Sequence, residues 1–389
     1  MTATAAEPAA KARRTFWLLL LVLGASVAFP VAVVLSQPRA TLSALTFPVY
    51  FVILLLVVTS RTRSVPARWA LWCFLWGASV GPLAAVPLVL PLLRWFGADS
   101  GLVQSLFVPL LEESLKIGLV LLLMTLPWWR YRWTVGASDL LVLGAAVGAG
   151  FSFAEDSWRA LGNSFAANAV WTAHRETPHW GWLYCFPSLE AKMFLGVGRR
   201  DPHPVPYYLG HAGATAFLAL AIGASRLWGH RRRLLRWSPL VVWLWIMIDH
   251  GLYNLLDRTD TLAAPWGWLY AADGGGQAST WVLYLAIAAT MAGEWRLLAK
   301  VGARAAAVDP RAVAPVAPLR LSVNWLLARL ARRTLAREFR GLCYGLHRHE
   351  LGGRRPGPHR DLLARLARSL RAWRLVSAPS VPPKPAANP

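Results

Sequence analysis

Apolar runs close to the ~20 residues that cross a bilayer recur along the first 300 positions. They predict helices at about 16–35, 44–59, 69–93, 104–126, 138–157, 205–225, 239–256 and 279–298. The polar segments between them differ in basic content, and that difference orients the helices. Lys11, Arg13 and Arg14 precede the first run; Arg61, Arg63 and Arg68 follow the second; Arg130 and Arg132 follow the fourth. Arg226, Arg231, Arg232, Arg233 and Arg236 follow the sixth, and Arg296, Lys300 and Arg304 end the last. The alternate segments contain only Arg39, Arg94 and Arg258, apart from the long loop 158–204, and long loops carry little weight in this bias. The predicted fold is all-α: a polytopic transmembrane helix bundle of about eight spans with both termini cytoplasmic.

Composition agrees with that pattern. Of 389 residues, 56% are hydrophobic and 15% charged, too few polar groups for the surface of a soluble domain. The 22 Trp residues suit membrane interfaces. The net charge of +22 is concentrated in residues 300–389, where 18 Lys/Arg face four Asp/Glu. The chain therefore divides into a membrane domain, 1–299, and a basic cytoplasmic tail, 300–389. In the tail a Pro-rich linker, Asp309 to Pro318, precedes two amphipathic stretches near 321–340 and 361–374. A basic tail of this kind is read as attracted to anionic lipid, and no nucleic-acid partner is expected. Cys73, Cys185 and Cys343 fall in a span, an outer loop and the tail, so no disulfide framework is inferred. The loop 158–204, with Trp171, Trp180, Trp182, Tyr184 and Phe186, is expected to lie against the outer interface.

Ionisable groups inside a bilayer are costly, so those within the runs carry the functional signal. The fourth run holds Glu112, Glu113 and Lys116, with the lysine one helical turn from either carboxylate. The fifth ends on Glu155 and Asp156. The sixth begins with His211, one turn before Thr215; the seventh ends with Asp249, His250 and Asn254. At 1.5 Å per residue Glu112 lies about 12 Å deep, His211 and His250 about 9 Å, and Glu155 about 3 Å. The alternating orientation puts all four at one level, in the outer half of the membrane. The inner halves of these runs are almost purely apolar. Each residue has a bland reading by itself, as a helix-packing pair, a solvated helix end or a packed histidine; their common depth argues for one site. His174, His179 and His203 in the outer loop are read as incidental.

The set EESLK at 112–116, FSFAE at 151–155, HAGAT at 211–215 and HGLYN at 250–254 resembles the four signature motifs of the PrsW family. The resemblance covers the fourth to seventh runs and implies a polytopic intramembrane protease, distantly similar to the CAAX prenyl endopeptidases. It implies membrane-protein substrates, such as single-span anti-sigma factors cut near their outer end. The CAAX enzymes have histidine where this chain has Glu155, so their site does not transfer unchanged. The family's catalytic type stands between glutamate and metallo.

Peptide hydrolysis needs an activated water and donors for the oxyanion. Glu112 is assigned as the base, with Glu113 and Lys116 setting its charge state. His211 holds or deprotonates the water. His250 and Asn254 bind the oxyanion, Glu155 orients a histidine, and Thr215 supports His211. No cofactor is required by this reading; zinc held by His211, His250 and Glu155 is the alternative, although no HExxH spacing supports it. The rivals from other classes are a transporter or proton pathway built on intramembrane ionisable residues, and a CAAX-type peptidase or immunity protein. Neither an internal repeat nor polar inner halves support transport.

Overall fold

The computed structural model describes residues 38–97, 100–125, 135–165, 209–256, 277–308 and 337–347. The expected run 16–35, the loop beyond Phe165, the amphipathic stretch 361–374, Cys185, His174, His179 and His203 lie outside those residues. Among the described residues all regular secondary structure is helical. In chain order it comprises α1 (Pro38–Val58), α2 (Ala67–Gly77), α3 (Val80–Phe96), α4 (Val108–Thr125), α5 (Ala137–Phe165), α6 (Gly210–Trp228), α7 (Arg233–Leu256) and α8 (Gln277–Val308). A last helix, α9, spans 337–347. A 3-10 turn, Thr59–Arg61, closes α1, and a π-helical turn, Val103–Phe107, leads into α4. Among the described residues, two stretches are long and apolar enough to cross a membrane, Ala137–Glu155 and Ala278–Val301.

Several boundaries differ from those expected. The run 69–93 is two helices, α2 and α3, with the break at Ala78 and Ser79. Ser79 leaves helical geometry (φ −125°, ψ −62°), and its hydroxyl donates back to the Leu75 carbonyl at 2.8 Å. The helix expected to end near 157 continues to Phe165, so Glu155 lies well inside it and not in its last turn. α6 starts at Gly210, which places His211 in its first turn. α8 runs on past the expected boundary at 299–300 to Val308.

α5 is the central element, packed against α1, α2 and above all α6. Its sequence explains the position. Gly144 and Gly148 face α6, where an added Cβ would collide with the Thr215 and His211 carbonyls; Gly150 faces α2 and the Phe74 carbonyl. Small residues let backbones approach closely, the usual device where lipid supplies no hydrophobic drive between helices. Leu140, Leu141, Leu143, Ala145, Ala146, Val147 and Ala149 fill the remaining interface and are fully buried.

The start of α5 is polar and buried. Asp139 accepts hydrogen bonds from the backbone of Ser64 (2.8 Å), Val65 (2.7 Å) and Gly136 (2.8 Å) and from the Ser64 hydroxyl (2.6 Å). Glu294 of α8 accepts from the amides of Ala137 (2.6 Å) and Ser138 (3.2 Å). Glu294 thereby satisfies amides that the first turn of α5 leaves without partners, and Asp139 satisfies those of the segments leading into α2 and α5. α9 covers the same end, with Leu342, Cys343, Tyr344 and Leu346 buried. Burial, then the charges of Glu294 and Asp139, push the Tyr344 hydroxyl well above its usual pKa, so it stays a donor. It donates to the Thr62 carbonyl at 2.9 Å. A polar cluster of this size at the far end of α5 was not expected from runs read as apolar there.

Candidate functional site

Four helices bring charged side chains together further along α5, about 27 Å from its start at 1.5 Å per residue between Ala137 and Glu155. α4 supplies Glu112, Glu113 and Lys116; α5 supplies Phe151 and Glu155; α6 supplies His211; α7 supplies His250. Glu113 is the hub. Its Oε1 accepts from Lys116 Nζ at 2.6 Å and from His250 Nδ1 at 3.0 Å, and lies 3.7 Å from His211 Nδ1. Lys116 Nζ also stands 2.6 Å from His211 Nδ1 and 4.5 Å above the Phe151 ring, which adds cation–π attraction. The lysine is fully buried, so the carboxylate and the ring replace its lost hydration.

Donor and acceptor roles follow from these partners. An ammonium only donates, so His211 Nδ1 accepts from Lys116 and the ring proton sits on Nε2. That Nε2 donates to Glu155 Oε2 at 2.5 Å. His250 Nδ1 donates to Glu113, so Nε2 is the acceptor nitrogen of that ring. This Nε2 faces Glu112 Oε2 at 4.0 Å. Glu112 Oε2 is buried, has no hydrogen-bond donor, and stands 4.0 Å from Lys116 Nζ. The two imidazoles meet edge to face, 5.2 Å between centroids. One basic oxygen and one imidazole lone pair are thus turned toward each other, while every neighbouring group is held.

The sequence-derived residues fare differently. Glu112, Glu113, Lys116, Glu155, His211 and His250 form one connected cluster. Thr215 is buried one turn beyond His211, against Gly144, and its hydroxyl makes no hydrogen bond in the cluster. Asn254 is half-buried one turn past His250. Two contributors lay outside the expected set. Phe151 lies under Lys116 and meets the His211 ring edge-on at 5.1 Å. Its signal was the i to i+4 spacing to Glu155 inside FSFAE, which puts both on one helix face. Asp249 accepts the Leu209 amide at 3.3 Å, beside Gly210 (φ +74°) and the first turn that carries His211. Only its position next to His250 pointed to it.

A metal fits part of this arrangement. Donor atoms of Glu112, His211 and His250 lie within 4.8 Å of one another, two imidazoles and a carboxylate, the donor set of many catalytic zinc sites. Glu112 Oε2, buried without a donor, is available without rearrangement. His211 has to give up one of its two present partners. The third member is Glu112, not the expected Glu155, which holds His211 Nε2 instead.

Comparisons with curated proteins and with solved structures give no match. A family model described as PrsW family intramembrane metalloprotease matches residues 65–174, the stretch that contains Glu112, Glu113, Lys116, Phe151 and Glu155 but neither histidine of the cluster. The family that the four motifs resemble is therefore also the family whose model this chain matches, over residues 65–174.

Proposed function

We propose that this chain is an intramembrane endopeptidase that cleaves membrane-protein substrates, single-span anti-sigma-like proteins among them, near the outer membrane face. The observation that carries the reading is the convergence of Glu112, Glu113, Lys116, Glu155, His211 and His250 from four helices, with Glu112 Oε2 buried and without a donor. It goes with a multi-pass chain in the cell membrane, eight spans and both ends inside.

Glu112 is the group that takes the proton of the attacking water, because its Oε2 is buried without a donor and faces His250 Nε2, while Glu113 is engaged by Lys116 and His250 and Glu155 by His211. Glu113 and Lys116 neutralise each other and hold His250 and His211 in place. His250 Nε2, 4.0 Å from Glu112, accepts a hydrogen bond from the same water and aligns it for attack, and the Asn254 side-chain amide donates to the developing oxyanion. Glu155 fixes the His211 tautomer, as a carboxylate does for a histidine in other hydrolytic sites. Glu112 then returns the proton to the leaving amine.

The convergence of Glu112, His211 and His250 favours a second reading, in which these three hold zinc. Bound there, the metal would lower the pKa of water and polarise the scissile carbonyl. Glu113 would still orient His250 from behind. A transporter gains less support: between the two polar ends the buried face of α5 is Leu140, Leu143, Ala146, Val147 and Ala149, with no ionisable step.

Purified protein in liposomes with a single-span reporter tests the proposal. Cleavage by the wild type and none by Glu112→Gln is expected. No cleavage of a panel of such reporters by either would overturn it. Metal content and the effect of a chelator on the same sample decide between the two mechanisms.

A further inference from the structure

The far end of α5 holds a feature that hydrolysis leaves unused. α9 is fastened there by three hydrogen bonds: Tyr344 to the Thr62 carbonyl (2.9 Å), Arg340 to the Arg61 carbonyl (3.1 Å) and His347 to the Leu227 carbonyl (3.2 Å). This docking brings Arg340 to the backbone just before Arg63, in the turn between α1 and α2, and places Arg337 near enough for its charge to act on both. Burial chiefly, opposed by the attraction of Asp139 and reinforced by the other two arginines, lowers the pKa of Arg63 below its usual value. The same balance acts on Arg340, where Arg337 adds repulsion. Asp139 draws both, yet its oxygens already accept four hydrogen bonds. Arg63 spends one nitrogen on the Val65 carbonyl and Arg340 one on Arg61. Nε of Arg63 and Nε of Arg340 are buried with no acceptor.

Like charges are gathered at the cost of repulsion, and two charged N–H groups are withdrawn from water without partners. A bound anion resolves both. The fork of a guanidinium matches two oxygens of a phosphate, and several forks on one group are the usual form of a phosphate site. We propose that Arg63, Arg337 and Arg340 form a phosphate-binding site whose ligand is the headgroup of an anionic phospholipid, which clamps the tail helix to the bundle. The surroundings favour lipid over a soluble phosphate. Val57 and Val58, in the last turn of α1, are exposed, and Arg61 lies over the half-exposed Trp295 ring at 5.8 Å. Acyl chains would meet the exposed apolar surface of the last turn of α1, within two turns of Arg63 in sequence, and Trp is a residue that gathers at the interface. Unlike the diffuse attraction of a basic tail to a charged surface, this site has a stoichiometry of one and named residues.

Native mass spectrometry of the full-length protein, delipidated in detergent, reads the site. Dioleoylphosphatidylglycerol and dioleoylphosphatidylcholine are offered separately. The wild type is expected to retain one phosphatidylglycerol in preference to phosphatidylcholine. The variant Arg63→Gln with Arg337→Gln should bind it at least about tenfold more weakly, since each loses a charge-assisted contact. Arg340 is left in place because it holds Arg61. The control Arg231→Gln with Arg232→Gln removes as much charge from exposed positions and should bind as the wild type does. Each single substitution, Arg63→Gln or Arg337→Gln, carries the same test if the pair fails to fold. Millimolar inorganic phosphate separates the sources: thermal stabilisation of the wild type alone, without preference for phosphatidylglycerol, keeps the anion site and assigns a soluble ligand. Equal phosphatidylglycerol binding by wild type and variants, with no effect of phosphate, overturns the proposal.

Discussion

Neighbouring glutamates in EESLK are expected to fail in different ways, and the contrast tests the roles assigned to them. Glu113 is almost fully buried and accepts from Lys116 at 2.6 Å and His250 at 3.0 Å. Glu113→Gln leaves the Lys116 ammonium with Glu112 at 4.0 Å as its nearest carboxylate. Removing one member of a buried pair costs about 3–5 kcal/mol. Glu112→Gln removes an oxygen that accepts no hydrogen bond, with its charged neighbours at 4.0 Å, and costs under about 1 kcal/mol. Cleavage should nevertheless fall by ~10²–10⁴ in Glu112→Gln, since the base is lost. Thermal unfolding followed by Trp fluorescence in detergent, with reporter cleavage on the same samples, separates the two. Glu113→Gln should melt lower by on the order of 10 °C, Glu112→Gln within a degree or two of wild type. Adding Lys116→Met to Glu113→Gln removes both charges and should recover most of the stability without activity. A double variant no more stable than Glu113→Gln would refute the ion pair as the source of the loss. A Glu112→Gln protein that cleaves normally would refute the base.

Three further outcomes follow from the packing. Gly251→Ala places a Cβ against the Ser105 carbonyl of the π-helical turn, next to His250; it should cost about 1–3 kcal/mol and reduce cleavage, and normal cleavage would show that α7 is free to shift. Tyr344→Phe deletes the bond to Thr62 and should lower stability by about 1 kcal/mol while leaving detergent activity intact, measured by melting and reporter cleavage. Mass spectrometry of the products should map the cut to a frayed segment at the outer end of the substrate's span, because a helix in hydrocarbon keeps its carbonyls closed to attack; a cut in the cytoplasmic half would contradict the proposed placement of Glu112 and His250.

The cluster was legible because its members are residue types that hydrocarbon penalises. Glu112, Glu113, Lys116, His211 and His250 stand out singly against apolar runs, and their depths along alternating helices brought them together on paper before any contact was known. What the pattern did not carry was the division of labour. Both glutamates lie one turn from Lys116, at i+4 and i+3, and only the structure shows Lys116 and His250 Nδ1 both engaging Glu113, which leaves Glu112 Oε2 without a donor. The polar cluster at the opposite end was missed for a related reason. Asp139 and Glu294 each occur once in long apolar runs, and their partners are backbone amides, which sequence does not display. Helix limits differ from those expected: α5 continues through the SFAEDSW stretch to Phe165, and the run 69–93 breaks where Gly77 meets the Val147 backbone.

The glycines of α5 connect packing to chemistry. Gly148 approaches α6 so closely that a methyl group there would strike the His211 carbonyl. The separation of α5 and α6 at this level is therefore set by the absence of a side chain. That separation is what allows Glu155, two turns further along α5, to reach His211 Nε2, and Phe151 to lie against both His211 and Lys116. A larger residue at 148 would act on the site without touching any ionisable group. It would lengthen the Glu155–His211 contact, free the ring to change tautomer, and remove the acceptor that Lys116 now finds in Nδ1. Buried polar networks tolerate such displacement poorly, because each partly satisfied member raises the cost of the next. The small-residue face of α5 and the charges at its end thus form one unit: the first fixes the distances at which the second is electrically balanced.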